Sequence, residues 1–133
     1  MGIMRRIRPL WILLGFAVGS SACGTDRTTC TACFVGEADP GTCPRWTTDG
    51  ELGPTQSPEI TMRNLCTGRG RHGAERTVPP EHRAACDAVL AALESEPRGE
   101  GGALVQPPQV PTEHIELTCT HARVHPGPSC VAH

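Results

Sequence analysis

The sequence predicts a small α+β domain stapled by disulfides, with short antiparallel strands, one amphipathic helix and long loops. Three observations support this fold class. The chain has eight cysteines in 133 residues, only two Trp, two Phe and no Tyr, and 15 Gly with 13 Pro. Few aromatic residues limit the size of the core, and cysteines offer a second means of stabilising a small exported domain. The composition excludes the large core that most enzymes require.

The first 22 residues have the three parts of a secretory signal peptide. Three arginines (Arg5, Arg6 and Arg8) precede an apolar run over residues 10–18, and small residues follow as far as Ala22. The apolar run is shorter than the roughly 20 residues that a membrane-spanning helix needs. We therefore expect residues 1–22 to be removed on export and the mature chain to have no transmembrane span.

The junction Ser20-Ser21-Ala22-Cys23 resembles the lipobox of bacterial lipoproteins. The resemblance implies that the Cys23 sulfur is acylated and that Cys23 becomes the new N-terminus, which would anchor the protein to a membrane surface by lipid alone. An ordinary signal peptidase would accept Ser20 and Ala22 and cut the same bond without adding lipid. The expected location is the cell envelope with a lipid anchor, or otherwise the secreted fraction.

The remaining composition argues against several classes of function. Without the signal peptide, nine basic residues face 14 acidic ones, and the chain contains no lysine. This acidic balance does not favour nucleic-acid binding, and Schiff-base chemistry or a phosphate-loop lysine is excluded. Neither Gly-x-Ser-x-Gly nor Ser-x-x-Lys occurs, so no serine nucleophile is recognisable. We expect a protein that is not an enzyme.

The chain behind the signal peptide divides by composition. Residues 23–58 are rich in Gly, Pro, Thr and Asp, which is typical of a loop-rich tether that contains cysteines. A small α+β domain is predicted over residues 59–133. Its first element is a strand from Glu59 to Cys66, followed by a polar, Gly-containing loop.

A helix and a strand are the clearest elements of that domain. Proline at residue 80 and apolar residues at 85, 89 and 93 predict an amphipathic helix over about 80–95, with Cys86 on its apolar stripe. Ile115, Leu117 and Cys119 alternate with polar residues and predict a strand over 114–119. The alternation changes phase at Ala122, which indicates a bulge or a turn into a second short strand.

Disulfide bonds are the expected state of the cysteines in an oxidising compartment. The candidates besides Cys23 are Cys30, Cys33, Cys43, Cys66, Cys86, Cys119 and Cys130. Acylation of Cys23 would leave one of these seven without a partner in the chain, whereas a free Cys23 allows four bridges. Two connectivities stay open: 66–86 with 119–130, or 66–119 with 86–130.

The spacing of Cys30 and Cys33 matches a C-x-x-C pair. A structural disulfide role is favoured, because no strand before the pair and no helix after it resemble a thioredoxin-like redox site. With Cys43 the pair offers three thiolates to zinc, but a fourth ligand at a diagnostic spacing is missing.

Residues 59–93 also resemble part of a known family. A predicted strand ends at Cys66, a Pro-containing loop follows, and Ala85-Cys86 lies on the predicted helix. This order is similar to the first disulfide unit of the bacterial subtilisin-inhibitor-like family, which implies a protease-binding role. The family's second cysteine pair has no counterpart here, so no reactive-site residue is transferred.

Two functions follow as hypotheses. The first is a non-enzymatic, exported protein that binds an unidentified protein partner at the cell surface, conceivably a protease, and uses no cofactor. The alternative is an exported metal-binding protein that holds zinc or copper with His114, His121 and His125 and a free cysteine.

Overall fold

A computed structural model describes residues 24–124 of the chain. Within this range, Asp26–Ala122 forms one compact unit, to which the following description refers. The predicted signal peptide, Cys23 with its predicted lipid, His125 and Cys130 lie outside the described residues. None of the helices between residues 24 and 124 is long and apolar enough to cross a membrane.

The sheet has three strands: β1 (Thr25–Phe34), β2 (Arg45–Asp49) and β3 (Ile115–Val124). β1 lies in the centre of the sheet, in the order β2-β1-β3. β1 and β2 are antiparallel, with Thr31 opposite Arg45. β1 belongs to residues 23–58, which were predicted as a tether, and yet it is the central strand of the sheet.

β3 also runs antiparallel to β1, and two contacts fix its register. Cys30 is disulfide-bonded to Cys119 across the strands, with the Cα atoms 4.1 Å apart. Five residues further along β1, the Val35 amide donates a hydrogen bond to the carbonyl of His114, five residues before Cys119. The Cα spacing is near the roughly 4.5 Å of a directly opposed, non-hydrogen-bonded pair. The prediction of short antiparallel strands is confirmed.

Two helices cover one face of this sheet. α1 spans Gly53–Cys66 and packs against β2, and α2 spans Arg83–Ser95, after a 3₁₀ turn at Pro80–His82, and packs against α1. Between the helices and the sheet lies a small core, whose larger buried members are Phe34, Met62, Leu65, Val89, Leu93, Leu104 and Ile115. One layer of helices on an antiparallel sheet is the predicted α+β class.

A buried serine attaches α1 to the sheet. Ser57 is fully buried, and its hydroxyl lies 2.8 Å from the Thr28 carbonyl and 2.9 Å from the Trp46 carbonyl. It can donate to either carbonyl and accept from the Thr48 hydroxyl at 3.1 Å. The contacts fix α1 over β1 and β2 at one point.

Three disulfides join these elements: Cys30–Cys119, Cys33–Cys43 and Cys66–Cys86. The bridge predicted between Cys66 and Cys86 is confirmed and ties the end of α1 to α2. The alternative 66–119 pairing and the 119–130 pairing are wrong, because Cys119 bonds to Cys30. The two cysteines of the C-x-x-C pair do not bond to each other, since alternate positions of β1 direct Cys30 and Cys33 to different partners.

Two of the predicted elements are wrong. Residues 59–66 are the second half of α1 and not a strand, so the strand that carried the resemblance to subtilisin inhibitors is a helix. Residues 24–58 are not a tether, because they contain β1, β2 and the start of α1. The helix predicted over 80–95 is confirmed, and so is the strand predicted over 114–119, although β3 continues without a break to Val124.

Candidate anion-binding cleft

An open cleft of about 490 Å³ lies where the start of β2 meets the loop that follows α1. Its lining consists of the first two residues of β2, one residue of α1 and five consecutive residues of the loop, namely Arg45, Trp46, Asn64, Arg69, Gly70, Arg71, His72 and Gly73. The volume is within the range of small-ligand sites. Cationic and aromatic side chains dominate this lining.

The arginines of the cleft lack carboxylate partners. Among the arginines between residues 24 and 124, Arg27, Arg63, Arg76 and Arg98 form ion pairs. Arg45, Arg69 and Arg71 line the cleft and form no ion pair within that range, and exposed Arg83 is similarly unpaired but lies on α2. Three positive charges therefore meet in one cleft of a chain with an acidic excess.

The loop that carries two of these arginines is tightly folded. The Gly70 amide donates to the Ala74 carbonyl at 2.6 Å, and the Arg76 amide donates to the Gly68 carbonyl at 2.8 Å. A side chain at Gly70 would place its Cβ only 2.6 Å from the carbonyl oxygen of Thr42. Glycine is required there because the loop packs directly on the backbone before β2.

Further contacts hold the loop against β1. The Arg71 Nε donates to the Cys43 carbonyl at 3.2 Å, and Cys43 is bonded to Cys33 on β1. Arg76 forms an ion pair with Glu37 at 2.6 Å, with both side chains largely buried. The Cys33–Cys43 disulfide and this ion pair thus hold in place the loop that lines the cleft.

His72 has a strained backbone at the tip of the loop. Its φ of 59° makes it the only residue other than glycine with a positive φ between residues 24 and 124. The left-handed conformation costs a non-glycine residue about 1–2 kcal/mol. Strain of this kind is concentrated at functional sites, and here it places an exposed imidazole on the cleft wall.

Trp46 supplies an aromatic surface beside the arginines. It is 44% exposed, although tryptophan is usually well buried in a domain with so few aromatic residues. Tryptophan and arginine are the side chains most enriched at the energetic centres of protein interfaces. The cleft can therefore offer charge-assisted hydrogen bonds to an oxyanion and a planar apolar surface to the group that carries it.

The histidines predicted as metal ligands lie in separate places. His114 precedes β3, and its Nδ1 lies 3.1 Å from the Nδ1 of His82, whose ring stacks on Phe34 with centroids 4.8 Å apart. His121 contacts the Thr28 hydroxyl at 3.1 Å. Seven residues of extended chain separate His114 from His121 by roughly 23 Å, so the two do not meet at one ion.

Between residues 24 and 124, no three His, Cys, Asp or Glu side chains are grouped to hold a metal ion. His125, the third predicted ligand, lies outside this range, as does Cys130. The six cysteines within the range are all used by disulfides. His114 and His121, the two predicted ligands that the structure describes, are therefore close in the sequence but do not lie close together in space.

Sequence reasoning missed the cleft. The sequence predicts a polar, Gly-containing loop from Arg69 to Arg76, which is correct but does not indicate that two of its arginines line a cleft. The only local signal is the alternation of Arg and Gly before His72. Arg45 and Trp46 line the cleft because they lie on β2. The loop-like composition of residues 23–58 did not predict this strand.

No protein-family model matches this chain, and no match is found among curated proteins or solved structures. The interpretation of the cleft therefore rests on its own residues and their geometry.

Proposed function

We propose that this chain is an exported, lipid-anchored and non-enzymatic protein that binds a partner protein at the cell surface through the arginine cleft. The single observation that carries the proposal is the meeting of three unpaired arginines with a half-exposed tryptophan in one braced cleft. Arginine and tryptophan together are typical of protein-binding surfaces.

Export and anchoring are supported by the sequence and by the cysteines. The charged start, short apolar run and small residues before Cys23 are those of a signal peptide with a lipobox. Three disulfides in a domain of this size are typical of an oxidising compartment. They use six of the eight cysteines, so acylation of Cys23 would leave Cys130 without a partner in the chain.

A crosslinking experiment in the producing cells tests the binding role. A photoreactive phenylalanine analogue at position 46 of the full-length protein should yield a crosslinked partner protein, and the yield should fall when Arg69→Gln is added. The matched control places the same analogue at position 83, the unpaired arginine outside the cleft. Equal crosslinking from both positions, or none from position 46, would contradict the proposal.

Two further measurements test the anchor and the metal alternative. Wild type should enter the detergent phase and Cys23→Ser should stay in the aqueous phase, and equal partitioning would exclude a lipid anchor at Cys23. A stoichiometric metal content in protein purified from native cells would instead favour the metal-binding function.

A further inference from the structure

Resting on the proposed function, we infer that the cleft recognises an acidic peptide segment of the partner, with adjacent carboxylates on the arginines and neighbouring apolar atoms on Trp46. The charges that line the cleft define the ligand chemistry of the site.

The hydrogen-bonding groups of the arginines fit carboxylates. Arg71 uses its Nε for the Cys43 carbonyl, which leaves its two terminal nitrogens to donate to both oxygens of one carboxylate. Arg45 and Arg69 are exposed and make no ion pair between residues 24 and 124. Because Arg71 is held by the backbone, it loses less conformational freedom on binding than a free surface arginine.

An internal carboxylate does not occupy these donors. Glu75 lies opposite Arg69 in an isolated antiparallel bridge, yet the two form no ion pair. Glu37, another acidic residue of this region, is engaged by Arg76. The cleft thus keeps its positive charge for a ligand from outside.

Trp46 distinguishes a peptide from a free anion. A small inorganic anion has no apolar surface to place on an indole that is 44% exposed, whereas the methylene groups and backbone of a peptide do. The cleft volume of about 490 Å³ is also far larger than one oxyanion requires.

The overall charge and shape favour a peptide over an anionic membrane. The mature chain has 14 acidic residues against nine basic ones, so a flat anionic bilayer would be repelled by most of the surface that approached it. A concave site admits a few side chains while it keeps the rest of the partner away. The same local field would steer an acidic segment into the cleft.

Fluorescence of Trp46 provides a direct test. It is the only indole left once the signal peptide with Trp11 is removed, and the chain has no tyrosine. The probe is a capped oligoglutamate peptide added to the processed, oxidised protein at low salt. We expect a saturable change in emission that weakens between ~0.05 and ~0.5 M salt.

Matched variants locate the effect. Arg45→Gln and Arg69→Gln should each weaken peptide affinity by about tenfold, the value expected for a lost hydrogen bond between charged groups. Arg83→Gln should leave the affinity unchanged. Inorganic phosphate and vesicles of anionic phospholipid form the comparison arms and should not displace the peptide at equal ligand concentration.

Three results would overturn the inference: no saturable change with oligoglutamate, an equal loss in Arg83→Gln, or tighter binding of phosphate or vesicles than of the peptide. Failure of this inference differs from failure of the proposed function. Crosslinks from position 46 that persist without oligoglutamate binding would retain a protein partner and reject the acidic segment. Oligoglutamate binding without such crosslinks would instead reject the partner protein.

Discussion

Two groups of arginines in this molecule have opposite surroundings. Arg63 and Arg98 meet at Glu59, which is only 8% exposed; Arg98 Nη1 lies 2.7 and 2.8 Å from the two carboxylate oxygens, and Arg63 Nη2 lies 3.0 Å from one of them. We call this group the Glu59 clamp. In the cleft, three exposed or partly exposed arginines form no ion pair with any carboxylate between residues 24 and 124. The clamp serves the fold, and the cleft arginines remain available to a ligand.

The clamp spans several elements of the fold. Besides Glu59 on α1, Arg98 bonds the Leu93 carbonyl at the end of α2 at 2.6 Å and the Gly102 carbonyl at 3.2 Å. One carboxylate therefore organises the end of α2 and the loop that follows. Between residues 24 and 124, the side chains of the cleft arginines make one hydrogen bond to the backbone, from Arg71, so loss of Arg45 or Arg69 should affect binding and not folding.

Glu59→Ala has one of the two largest expected effects. The substitution removes the carboxylate and leaves the side chains of Arg63 and Arg98 without it. Loss of one partner of a buried ion pair is strongly destabilising. Because both arginines are about one-third exposed, solvent reduces this effect, and we expect a loss of about 2–3 kcal/mol in the free energy of unfolding. Denaturant unfolding measures it. Glu94→Ala, on the exposed side of α2, is the control and should change stability by less than ~0.5 kcal/mol.

Substitution of the cleft arginines should have a much smaller effect on stability than Glu59→Ala. Arg45→Gln with Arg69→Gln should leave the free energy of unfolding within ~0.5 kcal/mol of wild type, as for most surface substitutions. A loss comparable to that of Glu59→Ala would mean that the cleft arginines are structural, and the difference between the two groups would disappear.

The next prediction concerns the Cys33–Cys43 disulfide, which helps to hold the loop of the cleft. Cys33→Ala with Cys43→Ala opens the shortest of the three disulfide loops, with a sequence separation of 10. The chain-entropy model gives a loss of roughly 2–3 kcal/mol for a loop of this size. Since Arg71 bonds the Cys43 carbonyl, Trp46 emission and oligoglutamate affinity should change as well. A stability loss with unchanged emission and affinity would show that this bridge does not brace the cleft.

A smaller effect of opposite sign is expected at His72. Glycine adopts a φ near 59° without strain, so His72→Gly should raise stability by about 0.5 kcal/mol after the greater freedom of glycine in the unfolded chain is subtracted. Affinity for the acidic peptide should fall because the imidazole of the cleft wall is lost. Unchanged affinity would remove His72 from the site and leave its strain without a function.

The elements that the sequence predicted correctly have strong local patterns. In α2, apolar residues recur every four positions, and in β3 Ile115 and Leu117 alternate with polar residues. The Cys66–Cys86 bridge was predictable because glycines and prolines fill the loop between the two cysteines. The correct position of Cys86 on the apolar stripe did not require a correct assignment of the element that carries Cys66.

The N-terminal half shows why other elements were missed. In β1 the buried positions hold Thr28, Cys30, Ala32 and Phe34, and the partly buried positions between them include Thr29 and Thr31, so the contrast in hydropathy is small. In α1, Pro58 and the β-branched pair Ile60-Thr61 disfavour a helix locally. The helix forms because tertiary contacts, including those of buried Ser57, outweigh propensity.

The cleft could not be predicted from any one segment. Its arginines come from two segments, at the start of β2 and in the loop after α1, and only the antiparallel sheet and α1 bring these together. Their lack of ion pairs is equally a property of the fold. The sequence shows nine arginines behind the predicted signal peptide but not which of them pair with carboxylates.

The smallest expected effect belongs to the exposed ion pair Arg27–Asp49, which joins β1 to β2. The Arg27 Nε lies 2.8 Å from the Asp49 Oδ1. The hydrogen bond from Arg27 lowers the pKa of Asp49 below its ordinary value of 3.8, despite a slight opposing effect of burial. Because the folded-state pKa is the lower one, the pair adds stability above about pH 3.8, and the contribution is lost as the pH falls through the folded-state pKa. Both side chains are about half exposed, so solvent and salt screen the pair strongly. Asp49→Asn should therefore flatten the stability profile slightly as the pH falls below about 3.8 at low salt, and the difference from wild type should vanish at high salt. A profile of Asp49→Asn that stays parallel to wild type through this range would show that an exposed arginine can be paired in the fold and still contribute nothing to it. The structural role of paired arginines would then be confined to the Glu59 clamp and the largely buried Arg76–Glu37 pair.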